Sequence, residues 1–173
     1  MNSQELYQEA AMSYSDLCSY LQRKYGIPEH SYFSTYECKS RSKKNSRGCD
    51  GLDCHHIRED LIPLLCNPEV ARNCPWEWQE KENLVYCNLL EHLLLHIKIA
   101  VYRQKRKLSS PNDVPLFFST QGVFLICQSI NDCYMNKSNL SKRAQAYERK
   151  EHFFLLRRFL AGSITNFIRI FVR

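Results

Sequence analysis

The sequence is short of the residues that keep a chain open. It has only five glycines and six prolines, no low-complexity tract and no internal repeat, so neither extended disorder nor a solenoid is expected. No uninterrupted apolar run approaches the roughly 18 residues that a membrane span needs. The first residues, MNSQELYQEAAMSYSDL, lack a basic start followed by an apolar run, so no secretory leader is expected. Nine cysteines are present, but no C-x-x-C pair is. Their odd number and irregular spacing read as reduced thiols of a cytoplasmic protein, not as a disulfide framework.

What remains is an ordinary globular composition, 44% hydrophobic and 24% charged over 173 residues. That is room for one domain with an appended subdomain. The formal net charge of +6 is unevenly placed. Residues 1–97 carry 10 Lys/Arg against 14 Asp/Glu, and residues 98–173 carry 14 against 4. The C-terminal part is therefore the expected polyanion surface.

Apolar residues recur at helical spacing over 4–24 (Leu6, Tyr7, Ala10, Ala11, Tyr14, Leu17, Cys18, Leu21), and Gly26 and Pro28 end that helix. SYFSTYEC (31–38) alternates like a strand, and the basic stretch 39–50 reads as a loop or hairpin tip. Gly51 leads into a short strand, LDCHHI. Prolines 63, 68 and 75 break residues 58–82, leaving room for a short apolar helix near 59–66. NLVYC (83–87) reads as a second strand. Asn88 and Glu91 have the spacing of a capping box, opening a helix from Leu89 to about Lys107 that Ser109-Ser110-Pro111 stops. Residues 119–134 read as an apolar helix. Residues 140–173 alternate basic and large apolar groups.

Four of the six histidines form one pattern. His92 and His96 are four apart, so on a helix they share one face. Both can grip one metal ion from the first two turns, and the HHI strand can supply a third ligand. CHHI followed by NLVYCNLLEHLLLH resembles the signature of the HNH (ββα-metal) endonucleases, over roughly residues 36–100. The resemblance implies an α+β protein: a ββα-metal core at 36–108, an N-terminal helical segment at 1–35 and a basic helical region at 109–173. It implies His55, His92 and His96 as ligands of one divalent ion. It implies His56 as the general base that activates water, and Asn83 as the residue that fixes the loop and so orients the base. A histidine-rich set accepts Zn²⁺, Ni²⁺ or Mn²⁺ as well as Mg²⁺. The implied activity is phosphodiester hydrolysis, chiefly of double-stranded DNA, leaving 5′-phosphate and 3′-hydroxyl ends.

Adjacent strand residues point to opposite faces, so His55 and His56 serve one site only if the strand ends or twists there. Other residues take plainer roles. Asp53 shares strand parity with His55 and is placed to orient it. Glu91 belongs to the capping box. Glu59 and Asp60 read as helix-start charges, Trp76 and Trp78 as core rings, and His30 and His152 as surface or packing residues. Many HNH proteins carry paired C-x-x-C motifs around a structural zinc, and this sequence departs from that. Lys105, Arg106, Lys107, Lys142, Arg143, Arg149, Lys150, Arg157 and Arg158 are the expected nucleic-acid contacts. The apolar residues among them face a core or a second copy of the chain, and a regulatory protein partner fits the same surface. The alternative reading is a non-catalytic, zinc-stabilised DNA-binding or protein-interaction module.

Overall fold

The computed structural model describes residues 3–107 and 116–135. The protein is mixed α and β, with a two-stranded antiparallel sheet against a set of helices. The N-terminal periodicity forms two helices, not one: α1 (Ser3–Ala11) and α2 (Tyr14–Tyr25). The break lies at Met12–Ser13, because Ser13 is an N-cap whose hydroxyl accepts from the amide of Asp16. A capping serine inside a continuous apolar stripe satisfies new helix-start donors and lets the chain turn without losing the stripe. Gly26 ends α2 with φ 82° and donates its N–H to the carbonyl of Gln22, a conformation that costs glycine little.

Residues 31–38 do not form the expected strand. Phe33 bridges Arg41, flanked by Ser34 N–H to Ser40 and Ser42 N–H to Tyr32. Cys38, at φ 52°, folds the chain back on itself before a ladder can extend. Tyr32 and Phe33 are both buried, against Ala71 and Leu84, so core packing overrides the alternation.

Strands β1 (Asp53–His56) and β2 (Leu84–Cys87) pair with His55 opposite Val85 and His56 opposite Leu84. Between them the apolar helix expected near 59–66 is a 3-10 turn over Ile57–Asp60. Leu64, at φ 66°, and Pro63 prevent its continuation. A single helical turn, α3 (Pro68–Ala71), is capped by Asn67. Trp76 and Trp78 are half-buried rather than core, and Trp76 packs on the exposed Tyr36, 4.3 Å between ring centroids.

Helix α4 (Leu89–Lys107) is the centre of the molecule. The Asn88 side chain accepts from the amides of Leu90 and Glu91, and Glu91 accepts from the amide of Asn88 at 2.7 Å, a reciprocal capping box. Leu89, Leu90, Leu93 and Ile97 pack with Leu6 of α1 and Ile126 and Ile130 of α5 (Leu116–Met135). Leu94 and Leu95 pack on Leu17 and Leu21 of α2 and on Val85. Both sides of α4 being covered, its histidines are held by walls that cannot easily move. Lys24 adds an ionic clamp, reaching Glu9 at 3.2 Å and Glu91 at 2.8 Å as well as Glu5. No helix of the described residues is long and apolar enough to cross a membrane.

Candidate metal centre

The register of the sheet and the start of α4 decide the site. Side chains alternate across β1, so His55 turns toward α4 while His56 turns away from it. The ring of His55 lies 5.2 Å from that of His92 and 5.0 Å from that of His96, centroid to centroid. Nε2 of His92 and Nε2 of His96 are 3.2 Å apart. Two nitrogens bound to one tetrahedral ion at about 2.0–2.1 Å each stand roughly 3.3 Å apart, so the helix pair already has ligand spacing. His55, His92 and His96 are the group of the described residues that could hold a metal ion.

Hydrogen bonds fix which nitrogens are available. The Tyr14 hydroxyl donates to the carbonyl of Ile57 at 2.8 Å. Its oxygen therefore accepts from Nε2–H of His55, 3.2 Å away, leaving Nδ1 of His55 with the lone pair. Asp53 Oδ2 lies 3.3 Å from Nδ1 of His92, which leaves Nε2 of His92 free for an ion. Asp53 thus orients His92 rather than His55, because its end of β1 lies opposite Cys87, next to the start of α4. A carboxylate behind a ligating imidazole fixes the tautomer and raises basicity.

Burial keeps the cluster from being a cationic patch. It lowers the pKa of His92 to about 4, and that of His55 and His96 well below the ordinary value, with the neighbouring imidazoles adding to the effect on both. At neutral pH the three are uncharged and present lone pairs, the form a divalent ion requires.

Glu59 was not singled out by sequence spacing, yet it faces the cluster. Its Oε2 is 3.7 Å from His96 Nε2 and 3.9 Å from His55 Nδ1. These separations are too long for direct hydrogen bonds, and with neutral imidazoles they are not ion pairs. Burial raises its pKa to about 7. The 3-10 turn after β1 puts it there, a geometry that no helix-start pattern announces. Arg103 of α4 pins this turn by donating to the carbonyls of Asp60 and Leu61.

His56 has other neighbours. Its ring lies 4.2 Å from that of Tyr32, and its Nε2 is 2.8 Å from Gln79 Oε1. Gln79, fully buried, donates its own amide to the carbonyl of Leu65, so its oxygen faces the imidazole and His56 carries its proton on Nε2. Burial holds the pKa of His56 at about 4. His56 is outside the ligand cluster, but it lines the same cavity, about 540 Å³, together with His55, Glu59, His92 and His96. Asn83 does not line it. Its side chain donates to the carbonyl of Glu77 at 2.7 Å and accepts from Arg58. It therefore holds the turn that carries Gln79 and acts on His56 at one remove.

The far wall of the cavity is α5. At Gly122 a Cβ would stand 2.2 Å from Nδ1 of His96, so only glycine lets α5 lie this close to the imidazole. Of the expected nucleic-acid contacts, Lys105 and Arg106 are exposed on α4. They lie nine and ten residues beyond His96, about 14 Å along the helix axis. Lys107 ends α4. Lys142, Arg143, Arg149, Lys150, Arg157 and Arg158 lie outside the described residues, as do His152 and the Ser109–Pro111 stop.

No family model, curated protein or solved structure matches the chain.

Proposed function

We propose that the protein is a metal-dependent endonuclease whose single-metal centre is His55, His92 and His96. The observation that carries the reading is the placement of three neutral imidazoles at ligand spacing on the wall of a cavity that also holds a fourth, separately held histidine. The run of residues resembling the HNH signature supports the same reading, since strand, strand and helix occur here in that order.

Bound to the three imidazoles, a divalent ion (Zn²⁺, Mn²⁺, Ni²⁺ or Mg²⁺) supplies Lewis acidity toward a phosphoryl oxygen. The chain supplies the rest. His56 is neutral at pH 7 and tied through Nε2–H to Gln79, so its Nδ1 is the atom that takes the proton of the attacking water. Asn83 holds the turn bearing Gln79 and so positions that base. Asp53 and Tyr14 fix the ligand tautomers. The products are a 5′-phosphate and a 3′-hydroxyl end on DNA.

Glu59 favours a second reading. A carboxylate drawn onto the ion would close the fourth position, as in a structural zinc site of a binding module. Its Oε2 lies 3.7 Å from Nε2 of His96 and 3.9 Å from Nδ1 of His55, the nitrogens that would hold the ion, so it stands on the ion's side of both rings. Zinc titration with plasmid cleavage separates the two: a closed module binds metal and never cuts.

A further inference from the structure

The acidic first half of the chain contains one basic stretch, KSRSKKNSR, and the fold brings it to the metal cavity. Arg41 and Lys43 line the cavity that contains the histidines. They also line a second cavity, of about 520 Å³, together with Lys44 and the serines 31, 34, 40 and 42. The two cavities share the wall Arg41-Ser42-Lys43. Arg41, Lys43 and Lys44 are exposed, and among the described residues none has a carboxylate partner. Arg47, by contrast, is tied to Asp50.

The segment is held in place rather than loose. Phe33, buried, bridges Arg41. The Arg41 guanidinium lies 5.3 Å over the ring of Tyr32, and that ring packs on His56. The buried side chain of Asn45 accepts from the amide of His30 and donates to the carbonyls of His30 and Ser31. Uncompensated cations and hydroxyls fixed on rigid backbone form a site for successive phosphates of one strand.

We infer that the second cavity is the subsite for the phosphate next to the scissile one, and that the substrate strand crosses the Arg41–Lys44 wall to reach the histidines. The inference rests on the nuclease reading and changes where the substrate lies. Among the described residues, the contacts that set affinity are on this loop, and Lys105 and Arg106 contribute little. The chemistry recognised is the phosphodiester backbone, so no base preference arises here.

The test is binding of the full-length protein to a labelled DNA duplex and to a single-stranded RNA in EDTA, over a range of salt. The triple variant Arg41→Ala/Lys43→Ala/Lys44→Ala is compared with Lys105→Ala/Arg106→Ala. Each lost phosphate contact removes about 0.9 from the slope of log K against log salt on a duplex. The triple variant is expected to bind at least tenfold more weakly with a slope lower by about 2 to 3, while the α4 pair stays near wild type. The double variant Lys43→Glu/Lys44→Glu leaves the Arg41 stack on Tyr32 intact and should weaken binding too, guarding against a folding defect in the triple. Zinc titration of each variant reports the histidine cluster independently. Unchanged binding in both loop variants, or loss confined to the α4 pair, overturns the proposed track and leaves the nuclease reading standing. A wild-type protein that neither binds nor cuts nucleic acid overturns both.

Discussion

The carboxylate of Asp53 stands 3.3 Å from Nδ1 of His92, joining the first residue of β1 to the first turn of α4. It holds the imidazole so that Nε2 faces Nε2 of His96. Replacing the carboxylate leaves the ligands present but frees the tautomer. Asp53→Ala is expected to weaken metal binding by about 10- to 100-fold while the far-ultraviolet circular dichroism stays as in the wild type. Competition against a chelator measures it, and wild-type affinity would remove Asp53 from the site.

Tyr14 does the same for His55 from α2. Tyr14→Phe removes both the acceptor for His55 Nε2–H and the donor to the Ile57 carbonyl. The apo protein should lose about 1 kcal/mol, read from urea unfolding, and metal affinity should fall with it. A stability loss with unaltered metal affinity would show that Tyr14 only packs.

Gly122 gives a test with an unusual sign. Gly→Ala inside a helix ordinarily stabilises by roughly 0.5–1 kcal/mol. Here the new methyl would collide with His96, so Gly122→Ala should destabilise instead, by about 1–3 kcal/mol, and should lower metal affinity. A higher melting temperature with intact metal binding would mean that α5 does not lie against His96.

The pH response follows from burial. His92 and His56 titrate at about 4 in the folded protein and near 6.5 when unfolded. Their folded pKa is depressed, so the stability they contribute is present above about 6.5 and is lost as pH falls from 6.5 toward 4. Glu9 and Glu59, raised to about 7 by burial, act in the opposite sense, losing stability as pH rises from about 4.5 to 7. The metal-induced gain in melting temperature separates the two. Protons displace the ion only when the folded histidines take them up, so the gain should persist from pH 7 to about 5 and collapse toward 4. A collapse already complete at pH 6.5 would describe an exposed cluster, not this one.

Much of the site was legible because it is local. The four-residue spacing of His92 and His96, the Asn88–Glu91 box and the strand NLVYC depend on neighbours in sequence; α4 forms at the expected residues and β2 starts one residue late, at Leu84, because Asn83 ends a 3-10 turn. What was not legible depends on distant packing. Ser13 splits the N-terminal helix within an unbroken apolar stripe, though the Ser13–Asp16 spacing of a cap was there to be seen. Residues 31–38 alternate like a strand but bury consecutive rings beneath a turn at Cys38. Glu59 reads as a surface charge until the 3-10 turn brings it over His55 and His96. Gln79 and Tyr14 carry no motif at all and reach the histidines from elements that only the folded chain places beside them.

The most direct test of the central claim is supercoiled-plasmid cleavage by the purified protein with Zn²⁺, Mn²⁺, Ni²⁺ or Mg²⁺, alongside EDTA, His56→Ala and His92→Ala, with bound metal quantified in each. The account predicts metal-dependent cutting that EDTA abolishes. His56→Ala should lose at least a hundredfold in rate while keeping its metal, and His92→Ala should lose both. Full cutting by His56→Ala, or metal retained by His92→Ala, would contradict it.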